Sequence, residues 1–167
     1  LQDVANPNYY RMLYSYDDVP KIPFNHRHVP MYPPERLWIS DTTFRDGQQA
    51  RAPYTVNQSV QLFKFLHELG GPNGIIRQAE FFLYSENDRA SVDACRALGY
   101  EFPEITSWIR ATKQDFQLVK QMGIEETGIL ASCSDYHIFK KLHMTRRQAM
   151  DQFLGVVKDA LSVGVRP

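Results

Sequence analysis

Leu37-Trp38-Ile39-Ser40-Asp41-Thr42-Thr43-Phe44-Arg45-Asp46-Gly47-Gln48-Gln49 opens as a short apolar run and closes on an arginine, an acid, a glycine and two amides. That gradient is the pattern of a buried strand whose C-terminal tip carries polar groups. It predicts a first strand over Leu37 to Thr42 and a loop over Arg45 to Gln49. The flanking residues decide what kind of sheet the strand joins.

Downstream, the same unit recurs. Thr55 caps a helix with Val60, Phe63, Leu66 and Leu69 on one face, closed by Gly70-Gly71. Gly74 to Glu80 reads as a second strand, and a helix from about Glu86 to Leu98 stops at Gly99. Pro103 to Ile109 makes a third strand with Arg110 at its tip. Thr112 caps a third helix, whose Phe116, Leu118, Val119 and Met122 form the apolar face before Gly123. Thr127 to Ala131 makes a fourth strand, ending in Ser132-Cys133-Ser134-Asp135-Tyr136-His137. Thr145-Arg146-Arg147-Gln148 has capping-box spacing and opens a long helix through Met150, Phe153, Val156, Val157 and Leu161, closed by Gly164. Repeated strand–loop–helix units imply an α/β fold with a parallel sheet and right-handed crossovers.

Upstream, residues 1 to 36 differ. Prolines at 7, 20, 23, 30, 33 and 34 exclude a regular helix over most of the segment, and tyrosines at 9, 10, 14, 16 and 32 add large faces. The expectation is an extended arm packed on the domain surface, with a loose leader as the alternative. His26-Arg27-His28 could aim two rings the same way from an extended segment. No acidic or cysteine partner lies nearby, so packing and surface hydrogen bonding is the better reading.

Composition narrows the function classes. Hydrophobic residues make up 43% and charged residues 23% of the 167, with nineteen basic against nineteen acidic side chains. This balance offers no electrostatic footprint for nucleic acid or an anionic membrane. Two cysteines, Cys95 and Cys133, are no disulfide framework and fit a reducing cytoplasm. No apolar run approaches the ~20 residues that cross a bilayer.

The polar residues that interrupt the apolar pattern gather at the strand C-terminal tips: Asp41, Arg45, Asp46, Gln49, Glu80, Arg110, Ser132, Ser134 and His137. Singly, each has a plain structural explanation: Asp41 as a turn cap, Arg110 as a surface charge, Glu80 as a partner for Arg77. Recurrence at the same end of successive units favours an active site, because parallel tips converge at the mouth of a (β/α)8 TIM barrel. Asp46 and Glu80 are hard oxygen donors suited to magnesium or manganese. Arg45 beside them offers a fixed cation for an enolate or carboxylate oxygen.

Asp41-Thr42-Thr43-Phe44-Arg45-Asp46-Gly47-Gln48-Gln49 resembles the D-T-T-L-R-D-G-x-Q signature of the DRE-TIM metallolyase superfamily, with Phe44 in place of leucine. More narrowly it is similar to the pyruvate-carboxyltransferase-like domain of 2-isopropylmalate and homocitrate synthases. Glu80, Trp108-Ile109-Arg110-Ala111-Thr112-Lys113-Gln114-Asp115, Ser134-Asp135-Tyr136-His137 and Lys141-Leu142 agree in order. The likeness covers about residues 37 to 167.

The resemblance implies that Asp46 binds a divalent cation (Mg, Mn or Zn) and that Arg45 is catalytic, polarising the forming enolate or alkoxide. It further implies that Gln49, Glu80, Arg110, Ser134 and His137 line the substrate pocket, with Asp41 supporting the loop. The implied reaction is a Claisen-type condensation of acetyl-CoA with a 2-oxo acid in cytoplasmic amino-acid biosynthesis. The alternatives are a lyase or aldolase of the same superfamily and a non-catalytic half-barrel assembly module.

A complete barrel takes roughly 250 residues, and this chain offers about the first four βα units. The family's His-x-His metal pair belongs to a later strand, and His26-Arg27-His28 precedes the first. Gly164-Val165-Arg166-Pro167 stands where a fifth strand is expected. The chain is therefore expected to be the N-terminal portion of a longer enzyme, with apolar barrel-facing side chains covered by the other half-barrel or within a homo-oligomer.

Overall fold

The computed structural model describes residues 23–24, 27–28, 32, 34–132 and 136–167. Two compact units divide the chain, Leu1–Arg36 and Leu37–Pro167. In the first, Pro23–Phe24 pairs antiparallel with Arg27–His28. His26, half of the histidine pair considered above, lies outside the described residues, as do all of the arm's tyrosines except Tyr32.

The second unit runs β1 (Ile39–Asp41), α1 (Val56–Gly70), β2 (Ile76–Phe81), α2 (Glu86–Arg96), β3 (Glu104–Ile109), α3 (Lys113–Gln121), β4 (Thr127–Ile129) and α4 (Arg146–Ser162). The strands lie side by side in chain order, and all three pairings are parallel. Sequential order with right-handed crossovers carries every helix to the same face, which is the arrangement of a partial barrel rather than a doubly wound sheet.

Local chemistry starts each helix. Thr55, Ser85 and Thr145 each close a capping box, with Gln58, Asp88 and Gln148 returning a bond to the cap backbone. Thr112 accepts from the Asp115 N–H. Each such cap stabilises its helix by about 1 kcal/mol. The expected stops at Gly99 and Gly123 take φ of 69° and 63°, a left-handed backbone that glycine adopts without a Cβ clash.

Alternation along the strands sorts the two faces. Ala79, Phe81 and Ile109 face the helices and form one core with Phe63, Val92, Cys95, Phe116, Val119 and Ala160. The other face carries Ser40, Gln78, Glu80 and Trp108, and it departs from the apolar lining expected of an open half-barrel. Ser40 Oγ donates to Gln78 Oε1 at 3.0 Å, Gln78 Nε2 donates to Glu126 Oε1 at 2.9 Å, and Arg166 pairs with Glu126 at 3.5 Å. Polar side chains bonded across strands keep this face satisfied in contact with water, where exposed apolar ones would gain nothing.

Two expected helix faces are less buried than their periodicity implied. Leu69 at the end of α1 is exposed, and so are Met150, Val157 and Leu161 on α4. Of the expected α4 face, Val156 meets the core, joined by Ala160, while Phe153, Val156 and Val157 line a groove with Gly128, Ile129 and Leu130. β4 is the edge strand of the sheet. The edge begins to pair where a fifth strand was expected: Arg166 N–H donates to Glu125 O at 2.8 Å, and Thr127 N–H donates to Arg166 O at 3.0 Å.

β1 is shorter than its apolar run. Leu37 and Trp38 precede the first pairing and are exposed, and a bulge between Ile39 and Ser40 shifts the register against β2. The described part of β4 also ends early, at Ile129.

Candidate active site at the strand tips

The loop after β1 is held from below by one ring. Phe44 is fully buried, stacks on Phe81 with centroids 4.3 Å apart, and packs against Phe63 and Tyr54. Driving this side chain into the core turns its neighbours Arg45 and Asp46 outward. Polar bonds complete the loop. Asp41 receives both the N–H and the hydroxyl of Thr43, at 2.9 and 3.0 Å, so it supports the turn as expected. Thr42 O accepts the N–H groups of Arg45, Asp46 and Gly47. Gln48 ties Phe44 O to Tyr54 N–H.

Four of the expected site residues come together on this frame. Arg45 donates from Nε to Glu80 Oε2 and from Nη1 to Asp46 Oδ1, both at 2.8 Å. Gln49 Nε2 donates to the same Asp46 oxygen at 3.0 Å. The Arg45 guanidinium also lies over the Trp108 indole, 4.3 Å from the ring centroid, a contact worth about 0.5–2 kcal/mol. Trp108 can lie flat because its neighbour on β4 is Gly128, where an added Cβ would fall inside the indole. The arginine is thus fixed from three sides, and its Nη2 makes no hydrogen bond to the described residues. A permanently charged group held this way can stabilise negative charge developing on an oxygen without reorganising.

Arg110 belongs to a separate cluster. Its Nε and Nη2 donate to Asp115 Oδ2 and Oδ1 at 3.0 and 3.2 Å, and its backbone N–H donates to Tyr84 Oη at 2.9 Å. Tyr84 in turn donates to Asp115 Oδ2 at 3.2 Å. Hydrogen bonding to Asp115, then its charge, pushes the Arg110 pKa up. Burial first, and the Asp115 charge after it, raise that of Tyr84. No hydrogen bond or ion pair among the described residues joins Arg110 to the Arg45 cluster.

His137 is exposed in a π-helical turn, Tyr136–Lys141, that follows β4. Ser134 lies outside the described residues. Glu80 pairs with Arg45 rather than Arg77, whose guanidinium sits between the rings of Trp38 and Phe102, at 4.7 and 4.0 Å.

For a divalent cation the donor set is incomplete. Asp46 Oδ2 and Glu80 Oε1 accept no bond from the described residues, so each remains an open hard donor. Among the described residues no three His, Cys, Asp or Glu side chains stand together as they would around a metal ion. Asp46 Oδ2 and Glu80 Oε1 are the donors this cluster could offer a cation, fewer than the about six a magnesium ion takes.

The sequence reading assigned no role to Phe44, Trp108, Tyr84 or Asp115. For Asp115 a local signal existed, since it stands three residues after Thr112, the spacing of a helix start. The other three act through partners distant in sequence; Phe44 and Trp108 stand in stretches that carry the family resemblance, but no local spacing shows what they touch.

A sequence profile described as HMGL-like matches residues 36–166. The chain is 55% identical over its whole length to proteins named Citrate (Re)-synthase from Clostridium kluyveri and Syntrophus aciditrophicus, covering 37% and 27% of them. It is 38% identical, again over its whole length, to a 2-phosphinomethylmalate synthase from Streptomyces hygroscopicus, covering 39% of that protein. 2-Isopropylmalate synthases and a homocitrate synthase match at 29–32% identity. The chain thus spans between about a quarter and two fifths of the length of these relatives. No helix of the described residues is long and apolar enough to cross a membrane.

Proposed function

This chain belongs to the HMGL-like family, and on that premise we propose that it is the N-terminal half of a TIM-barrel domain that condenses acetyl-CoA with a 2-oxo acid. The observation that carries the reading is the Arg45–Asp46–Glu80 cluster at the tips of β1 and β2. Relatives at 55% identity are named for citrate formation, so a four-carbon 2-oxo diacid is the favoured acceptor. The narrower isopropylmalate and homocitrate readings, and with them leucine biosynthesis, take second place because their namesakes match at lower identity.

In the proposed reaction the acetyl methyl group loses a proton, and the resulting carbon attacks the 2-oxo carbonyl. Water then cleaves the thioester to release CoA and a hydroxylated polycarboxylic acid. Arg45 holds the developing oxyanion through Nη2, which has no hydrogen-bond partner among the described residues, and Glu80 with Trp108 keeps the guanidinium in place. Gln49 holds the Asp46 carboxylate. Arg110 receives a substrate carboxylate, and Ser134 and His137 complete the mouth. A divalent cation (Mg, Mn or Zn) with Asp46 among its ligands would act as a Lewis acid on the 2-oxo group. The site is completed by the other half of the barrel, and by a homo-oligomer if the subunits share the mouth.

Thiol release from acetyl-CoA by the protein that carries this chain, with oxaloacetate, 2-oxoisovalerate and 2-oxoglutarate offered in turn, tests the reading. Turnover with oxaloacetate and citrate as product is expected. Cleavage of hydroxymethylglutaryl-CoA with no condensation of any 2-oxo acid would establish the lyase alternative instead.

A further inference from the structure

We propose that Asp115 is a positioning residue for Arg110, occupying one edge of its guanidinium so that the other edge is presented to a carboxylate of the 2-oxo acid. The inference rests on the reading above, in which Arg110 receives a substrate carboxylate.

The geometry separates the two edges. Nε and Nη2 form the side edge of the guanidinium, and both are spent on the two Asp115 oxygens in a fork. Three N–H bonds have no partner among the described residues, two on Nη1 and one on Nη2; one from each nitrogen forms the end edge, which has the spacing for a second carboxylate. Exposure follows the same division: the Asp115 side chain is 8% exposed, whereas that of Arg110 is 73% exposed. A buried acid therefore anchors a cation that faces water.

Asp115 is itself anchored. It stands in the first turn of α3, its N–H donates to the capping hydroxyl of Thr112 at 3.3 Å, and Tyr84 donates to its Oδ2. The Arg110 backbone N–H closes the ring onto Tyr84 Oη, and the Arg110 guanidinium lies 5.1 Å from the Tyr84 ring centroid. Thr112 and Asp115 at the start of α3, with Tyr84 beyond β2, thus define one orientation for an arginine that would otherwise sample many rotamers. Freezing those rotamers before substrate arrives removes a cost that binding would have to meet.

A second role for Asp115 is chemically possible, as an internal competitor that substrate must displace. The two roles predict opposite signs. Steady-state kinetics of the whole protein with Asp115→Asn decides between them. Positioning predicts a rise of about tenfold in KM for the 2-oxo acid, the loss of one charge-assisted contact, with kcat and the KM for acetyl-CoA little changed. In an Arg110→Ala background the same substitution should add nothing, since the two act as a unit. An unchanged or lowered KM, or an equal rise without Arg110, overturns the proposal. Should Asp115→Asn fail to fold, Tyr84→Phe keeps the helix cap and should give a smaller rise confined to the same KM, and no rise overturns it. A parent protein that condenses no 2-oxo acid would sink the proposed function, and this role with it. An active parent with an indifferent Asp115 would sink this role alone.

Discussion

The Nε–H of Arg45 donates to Glu80 Oε2 across 2.8 Å, tying the tip of the first strand to that of the second. Both side chains are largely withdrawn from water, 16% and 13% exposed, so the pair is neither a screened surface contact nor a fully buried one. Glu80→Gln should lower stability by about 1–3 kcal/mol, because a charged donor keeps only a neutral acceptor. Arg45 would then keep Asp46 as its one charged partner among the described residues, and turnover should drop at least tenfold. Urea denaturation alongside thiol-release kinetics measures both. An unchanged midpoint with unchanged turnover would show that Glu80 does not hold the arginine.

The indole of Trp108 occupies the space that a side chain at residue 128 would need. Gly128→Ala should therefore push the ring from beneath Arg45, at a cost of about 1–3 kcal/mol for overpacking. In a Trp38→Phe background Trp108 is the single tryptophan of these 167 residues, and its contribution to the emission, isolated by comparison with Trp108→Phe, should shift to the red. Emission identical to that of the parent would mean that the ring had not moved.

Gly47 behaves differently. Its φ is not positive, and an added Cβ would meet Thr43 Cγ2 at 3.6 Å and Tyr54 Oη at 3.7 Å, ordinary contacts. Gly47→Ala should leave stability within about 1 kcal/mol of the parent. Turnover should nonetheless fall if substrate approaches the backbone beside Asp46. Thermal melts and kinetics on the same sample separate the two effects. A large loss of stability would point to a packing constraint that the loop does not display.

Burial pushes the Cys95 thiol up to about 12. Unfolding returns it to roughly 8.5. Above that value the unfolded state binds fewer protons than the folded one. The contribution is therefore fully present below pH ~8.5 and is lost as pH rises toward 12, by up to about 1.4 kcal/mol per pH unit. Denaturation midpoints of the parent and of Cys95→Ala, compared between pH 7 and 10, isolate this slope. A thiol reagent at pH 8, with labelling read on the peptide that contains Cys95, should modify Cys95 only as fast as the protein unfolds. Rapid labelling of the folded protein would show that the thiol is not buried.

Much of the fold was legible locally. Thr55, Thr112 and Thr145 cap the expected helices, Gly99 and Gly123 end them, and four strands pair in the expected parallel order. Leu69 and the α4 residues Met150, Val157 and Leu161 were less legible, because helical spacing says which residues share a face and not which part of it a neighbour covers. The polar barrel-facing side was missed for a related reason: Ser40, Gln78 and Glu126 look like ordinary solvent-facing residues until the strands are in register.

The sequence by itself determined the repeating βα unit, the helix boundaries and the placing of polar residues at the tips of the first three strands. These depend on propensity, capping and periodicity, which act within a few residues. Tertiary structure alone decided the partnerships. Glu80 is 35 positions from Arg45, Gln78 is 48 from Glu126, and Tyr84 is 31 from Asp115. Strand register and helix packing bring such residues within hydrogen-bond reach, and no local spacing encodes them. For that reason Asp46 and Arg45 could be picked from one stretch of chain, whereas the hold of Glu80 and Trp108 on Arg45, and of Tyr84 on Asp115, could not.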